Sequence, residues 1–175
     1  QCPTRIPTVV DAGALSILSE LLTEDLSCTP LHVLTPHAGE AAALLIALED
    51  QGTSAQETRQ WSRERVEAHP GLAARELCRL TGATVLLKGA TTLIAAPQRP
   101  LVSVDGGPGW MASAGSGDVL AGILGAVLAG AAARWEQGAP DASGADPVLD
   151  ALVDSVAAGV RLHALAGAYA AASPQ

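Results

Sequence analysis

Three short segments hold residue types suited to handling a phosphorylated ligand. The first is AGSGD, residues 114–118. Glycines at 115 and 117 let the backbone turn sharply, and the apolar run VLAGILGAVLAGAAA follows at once. A helix that begins there presents unpaired N–H groups and the positive end of its dipole, which makes Gly115, Ser116 and Gly117 a candidate phosphate cradle. Asp118 is then either a carboxylate capping the first turn or a general base facing a bound phosphate. Other glycine motifs do not fit. No Gly-Lys-Ser/Thr follows as in a Walker loop, GSGDVL lacks the GxGxxG spacing, and Ala114 stands where a nucleophile elbow needs glycine.

The second segment is KGATT, residues 88–92, after the strand-like TVLL. Lys88 is the only lysine in a chain whose other positive side chains are all arginine. It is either a compact charge placed on a phosphate beside the Thr91 and Thr92 hydroxyls, or a surface lysine in a hairpin turn. The third is PHAGE, residues 36–40, where His37 and Glu40 lie three apart at a helix start and can face one ligand. His37 could then hydrogen-bond a polar substrate and Glu40 hold a metal-bound water; the plainer alternative is a capping arrangement that uses Glu40. His32, His69 and His163 read as structural.

The elements that would position these segments alternate. Residues 6–10 form a short β-branched run whose tip presents Asp11, and 14–22 has helical spacing through Leu15, Leu18 and Leu22. LHVLT, 31–35, is a second strand stopped by Pro36, and a helix follows from His37. Residues 51–69 are polar and predict a solvent-facing helix capped by Thr53 or Ser54 and broken by Pro70. A helix over 71–80, with Leu72, Leu77 and Leu80 as its apolar face, closes at Gly82. Three strands come next, TVLLKG, TTLIAA and PLVSVD, then the glycine turn and its long buried helix. A loop over 137–147 and a final helix over 151–172 complete the chain. The expected fold is α/β: one domain over 1–175, a mostly parallel sheet with helices on both faces. Ligands of such sheets bind beyond the carboxyl ends of the strands, where Asp11, PHAGE, KGATT and GSGD all fall.

Composition narrows the partners. The 175 residues carry a net charge of −8, and the arginines are scattered singly, which argues against a nucleic-acid partner. Aromatic residues make up 2% and Phe is missing, so the core must be Ala, Val, Leu and Ile. Cys2, Cys28 and Cys78 have no metal or redox spacing and read as free thiols of a reducing compartment. Residues 119–133 span only about 22 Å as a helix, short of a bilayer core of roughly 30 Å, so a cytoplasmic protein without a membrane partner is expected. Met111 is the only methionine, so Gln1 is not a translation start and the chain is expected to be processed or to belong to something longer.

Taken together, VVDAGAL, TPHAGE, VLLKGATTLIA, MASAGSGDVLAGILGAVLAG and GVRLHALAGAYAA resemble, in order and spacing, the ADP-dependent NAD(P)H-hydrate dehydratases of the ribokinase-like fold. The resemblance leaves out only 51–70 and 134–147. GSGD alone says no more than ribokinase-like; its pairing with TPHAGE and LHALAG is more specific. The resemblance implies a repair reaction on the 6-hydroxy hydrates of NADH and NADPH, with ADP, or ATP in eukaryotic members, as co-substrate. It implies Asp118 as the base at the substrate hydroxyl and His37 as a substrate contact. Lys88, Gly89, Ala90, Thr91, Thr92 and Gly117 become nucleotide-binding positions, and Mg²⁺ sits on the phosphates with Glu40 near its water shell.

The resemblance further implies a homo-oligomer, a tetramer in many members, and fusion to or cooperation with an NAD(P)H-hydrate epimerase. Family domains are longer, so the chain is expected to be the C-terminal portion of one, without its N-terminal strands. Three departures stand out: Ala38 replaces the proline of PHPGE, Gly13 the second Asp of VLDADAL, and Pro108-Gly109-Trp110 an Asn-Pro-Gly run. Two rival readings remain, a small-molecule kinase of the same fold acting on a thiazole, pyridoxal or sugar alcohol, and a non-catalytic nucleotide-binding module.

Overall fold

A computed structural model of the chain describes residues 6–22, 27–49, 61–105, 107, 109, 113–135 and 146–172. Cys2, the expected cap at Thr53 or Ser54, Pro108, Trp110, Met111 and the 137–145 part of the expected loop lie outside the described residues.

Valine-, leucine- and threonine-rich stretches make five strands: β1 (Thr8–Val10), β2 (His32–Leu34), β3 (Thr84–Leu87), β4 (Thr91–Ala95) and β5 (Val102–Asp105). Between and after them lie α1 (Gly13–Leu21), α2 (Ala38–Glu49), α3 (Arg63–Ala68), α4 (Pro70–Thr81), α5 (Ser116–Trp135) and α6 (Pro147–Ala172). The strands stand side by side in chain order. β1, β2 and β3 pair in parallel, since helices carry the chain back between them, while β4 pairs antiparallel with both β3 and β5 through short turns. Only β4 runs against the others, so the sheet is mostly parallel in direction although half of its pairings are antiparallel.

Strand side chains alternate between two cores. Leu34, Val85, Leu87 and Ala95 pack with Leu15 of α1, with Ala41 and Leu45 of α2, and with Ala73, Ala74 and Leu77 of α4. Val33, Leu86, Ile94 and Val104 pack with Leu120, Leu124 and Leu128 of α5 and with Leu152, Val156 and Val160 of α6. Helices therefore cover both faces, as the sequence leads one to expect.

Local signals set the helix ends. Ser62 caps α3 by accepting the Arg65 N–H at 3.2 Å. Pro70 sits in the first turn of α4, where its missing N–H costs nothing, and Gly82 closes that helix in the left-handed region at φ 72°. The buried face of α4 is Ala73, Ala74, Leu77, Cys78 and Thr81. Leu72, expected on that face, is exposed instead, because the helix presents its alanines to α2 and the sheet. The Asp146 carboxylate accepts the Val148 N–H at 3.1 Å and starts α6 four residues earlier than the alanine-rich pattern suggests. α5 runs 20 residues and is long and apolar enough, by length and composition alone, to cross a membrane. It is less buried than its composition leads one to expect. Only Leu120, Leu124, Leu128 and Ala131 are enclosed, a single stripe that packs α5 against the sheet and α6.

Candidate active site

The carboxyl ends of the parallel strands meet at one edge. Asp11 follows β1, Pro36 and His37 follow β2, and Lys88 follows β3. The Lys88 N–H donates to the Pro36 carbonyl at 2.8 Å, and His37 and Lys88 form one further parallel bridge. Pairing of β2 with β3 thus runs past the strands and lays PHAGE beside KGATT.

Lys88 is at the centre of this edge. Its Nζ donates to Asp11 Oδ1 at 2.8 Å and lies 3.9 Å from Glu40 Oε2. It is also 3.4 Å from the point where a Cβ on Gly117 would stand. The lone lysine therefore reaches the glycine turn of α5, and the surface-hairpin alternative for it does not describe this geometry. Burial pushes the Asp11 carboxyl up, but hydrogen bonds from Lys88 and Thr35 and the nearby Lys88 charge outweigh it. The group is held below the usual carboxylate range and stays ionised.

His37 and Glu40 close a reciprocal cap on α2. The His37 N–H donates to Glu40 Oε2 at 2.8 Å, while His37 Nδ1 accepts the N–H groups of Gly39 and Glu40 at 3.0 and 3.1 Å. This has the logic of a capping box, with an imidazole nitrogen in place of a hydroxyl. An Nδ1 that accepts carries no proton, so the neutral ring holds its hydrogen on Nε2, a donor on a side chain that is 60% exposed. Glu40 is thus spent largely on the cap and on Lys88. Among the described residues no group of three His, Cys, Asp or Glu side chains is placed to hold a metal ion.

At the start of α5, Gly115 adopts φ 87°, a left-handed conformation that a side chain would strain. The first i→i−4 bond of the helix runs from Val119 N–H to the Gly115 carbonyl at 3.2 Å. The N–H groups of Gly117 and Asp118 precede it and have no partner among the described residues, as first-turn donors of a helix commonly do. Asp118 is exposed, and its carboxylate makes no hydrogen bond or ion pair among the described residues, so it does not act as a cap. Ser116 Oγ lies 3.3 Å from His163 Nε2 on α6. Burial lowers the His163 pKa, against a smaller upward pull from the Ser116 backbone.

Of the sequence candidates, His37, Glu40, Lys88 and Gly117 come together with Asp11, while Gly115, Ser116 and Asp118 adjoin Gly117 on the same turn. Gly89, Ala90 and Thr91 form the exposed turn into β4, and Thr92 is buried. His163 was read as structural, yet it touches the turn. No local pattern announces that contact, because the two residues are 47 apart in sequence.

Known proteins resemble this chain along most of its length. A family model described as NAD(P)H-hydrate dehydratase matches residues 2–175. The ADP-dependent (S)-NAD(P)H-hydrate dehydratase of Neisseria meningitidis serogroup B is 38% identical over 97% of this chain and 53% of its own length. The bifunctional NAD(P)H-hydrate repair enzyme Nnr of Mycobacterium tuberculosis is 40% identical over 72% of this chain and 23% of its own. The chain therefore spans about half, or less, of the length of these relatives. Among solved structures, a ribokinase-like superfamily protein from Enterococcus faecalis superposes with a TM-score of 0.58 at 24% identity, over 94% of this chain and 45% of that one. With the family model matched almost end to end, the chain belongs to the NAD(P)H-hydrate dehydratase family and has a ribokinase-like fold.

Proposed function

We propose that the site serves the ADP-dependent dehydration of the 6-hydroxy hydrates of NADH and NADPH, a repair of damaged nicotinamide cofactor. One observation carries the reading. The Lys88 ammonium and the first-turn N–H groups of α5 converge at Gly117, next to an exposed carboxylate, Asp118, that has no partner among the described residues. A cationic, amide-lined turn suits a phosphoryl group in transfer, and a free carboxylate beside it suits a hydroxyl that must lose its proton.

In this reading Asp118 takes the proton of the C6 hydroxyl as the oxygen attacks the terminal phosphorus of ADP, releasing AMP and forming a phosphate ester. The ester leaves as phosphate with the loss of a ring proton, which restores the reduced nicotinamide. The Gly117 and Asp118 N–H groups, on the turn that Gly115 and Ser116 shape, hold the transferring group, and the Lys88–Thr92 turn, with Gly89, Ala90 and Thr91 open to solvent, receives the nucleotide. The exposed Nε2–H of His37 donates to the hydrate, oriented by the Nδ1 cap. Mg²⁺ carried on the nucleotide phosphates would neutralise charge there, with Glu40 near its water. The same reading makes the partners small molecules in the cytoplasm, in an oligomer that works with an epimerase.

The experiment is incubation of NADH hydrate with ADP, then with ATP, following the near-ultraviolet absorbance of reduced nicotinamide and the release of phosphate. Recovery of absorbance, one phosphate per cofactor restored, is expected. A stable phosphorylated alcohol without recovery would make the protein a kinase of the same fold. Nucleotide binding without turnover of any hydroxyl would leave a binding module.

A further inference from the structure

Lysine is a flexible cation on a four-carbon stem, and ordering it at a ligand site costs side-chain entropy. Here a carboxylate at the end of a different strand supplies that ordering. Lys88 Nζ is gripped by Asp11 Oδ1 at 2.8 Å, across the width of β2, by a residue 77 positions earlier in the chain. Both side chains are largely enclosed, Lys88 at 21% exposure and Asp11 at 13%. Glu40 is a poorer anchor, because its Oε2 already accepts the His37 N–H and lies 3.9 Å from the ammonium. Asp11 is itself held tightly. Ala12, the next residue, takes φ 50° and ψ −129°, a conformation that a non-glycine residue rarely adopts, and this sharp turn sets the carboxylate at the sheet edge.

We propose that Asp11 is a positioning residue for the nucleotide site: it fixes the Lys88 ammonium against the glycine turn at Gly117, so that the charge stands ready where phosphate binds. Asp11 acts through Lys88 and does not touch the ligand. This rests on the reading of that turn as the phosphate site.

Calorimetric titration of the chain with ADP and with adenosine tests both levels separately. Asp11→Asn keeps the shape and removes the anchor, and ADP affinity is expected to fall about tenfold while adenosine affinity stays as it was. In Lys88→Met, adding Asp11→Asn should cost nothing further, because its effect runs through the lysine. Asp11→Glu, which keeps the charge, should recover part of the ADP affinity and serves as the working variant if Asp11→Asn does not fold. Equal ADP affinity in wild type and Asp11→Asn, tighter binding in the variant, equal loss for adenosine, or additive losses with Lys88→Met would each overturn the proposal. Wild-type protein that does not bind ADP would instead overturn the reading of the turn itself.

Discussion

The two faces of the sheet are built to different depths, and the site lies on the seam between them. On one face α2 encloses four of its twelve residues and α4 five of its twelve. On the other, α5 encloses four of twenty, and α6 six of twenty-six, none of them beyond Val160. Val119, Leu162, Leu165 and Tyr169 stand more than half exposed on those two helices. In the strand-borne half of the site, Lys88 follows β3, whose four residues are all buried, and Asp11 follows the edge strand β1, where none is. The half that carries the amide donors and Asp118 is held by one stripe of leucines. The lysine leans on a fully buried strand, and the turn that meets it leads into a helix enclosed along one stripe.

Substitutions can break this comparison. Leu77 is fully buried on the deep face, so Leu77→Ala should cost about 3 kcal/mol of unfolding free energy in a urea titration. Val119→Ala, on a residue 56% exposed, should change stability by no more than about 0.5 kcal/mol. Equal losses would mean that the α5 face is as deep as the other.

The α5–α6 contact offers a finer version. A Cβ on Gly159 would come within 2.8 Å of Leu124 Cδ2, whereas one on Gly125 meets nothing within 4 Å. Gly159→Ala should therefore destabilise by about 1 kcal/mol, and Gly125→Ala should stabilise by roughly 0.5–1 kcal/mol through helix propensity. A stabilising Gly159→Ala would show that the Leu124 side chain gives way at little cost, and the tight α5–α6 contact at Gly159 would not hold.

The smallest effect is electrostatic. The folded-state pKa of Asp11 is depressed, so its contribution to stability is complete above the unfolded value of about 4. It fades as pH drops through that value towards the folded one. Melting temperatures of wild type and Asp11→Asn should differ most near pH 6 and draw together as pH falls below about 4. A gap that widens in acid would contradict the ion pair with Lys88.

Much of this was legible from residue types alone, for reasons that are local. Alternating β-branched runs mark β3 and β4, Gly82 marks the end of α4, and Gly115 and Gly117 mark the turn before α5, because each depends on backbone geometry within a few residues. The His37–Glu40 cap was legible for the same reason. The grip of Asp11 on Lys88 and the approach of His163 to Ser116 depend on sheet order and helix crossing, which no spacing encodes. Leu72 and the bare side of α5 misled for a related reason. Periodicity says which residues could face a core, while the packing partners decide which of them do.

The most direct test is Asp118→Asn, assayed for ADP-dependent repair of NADH hydrate beside a calorimetric measurement of ADP binding. Asp118 is exposed, so the fold should tolerate the change. The account predicts that turnover falls by a factor on the order of a hundred or more while ADP affinity holds. Turnover at the wild-type rate would contradict it, as would a loss confined to ADP binding, since either result would leave this carboxylate without the proton it is placed to take.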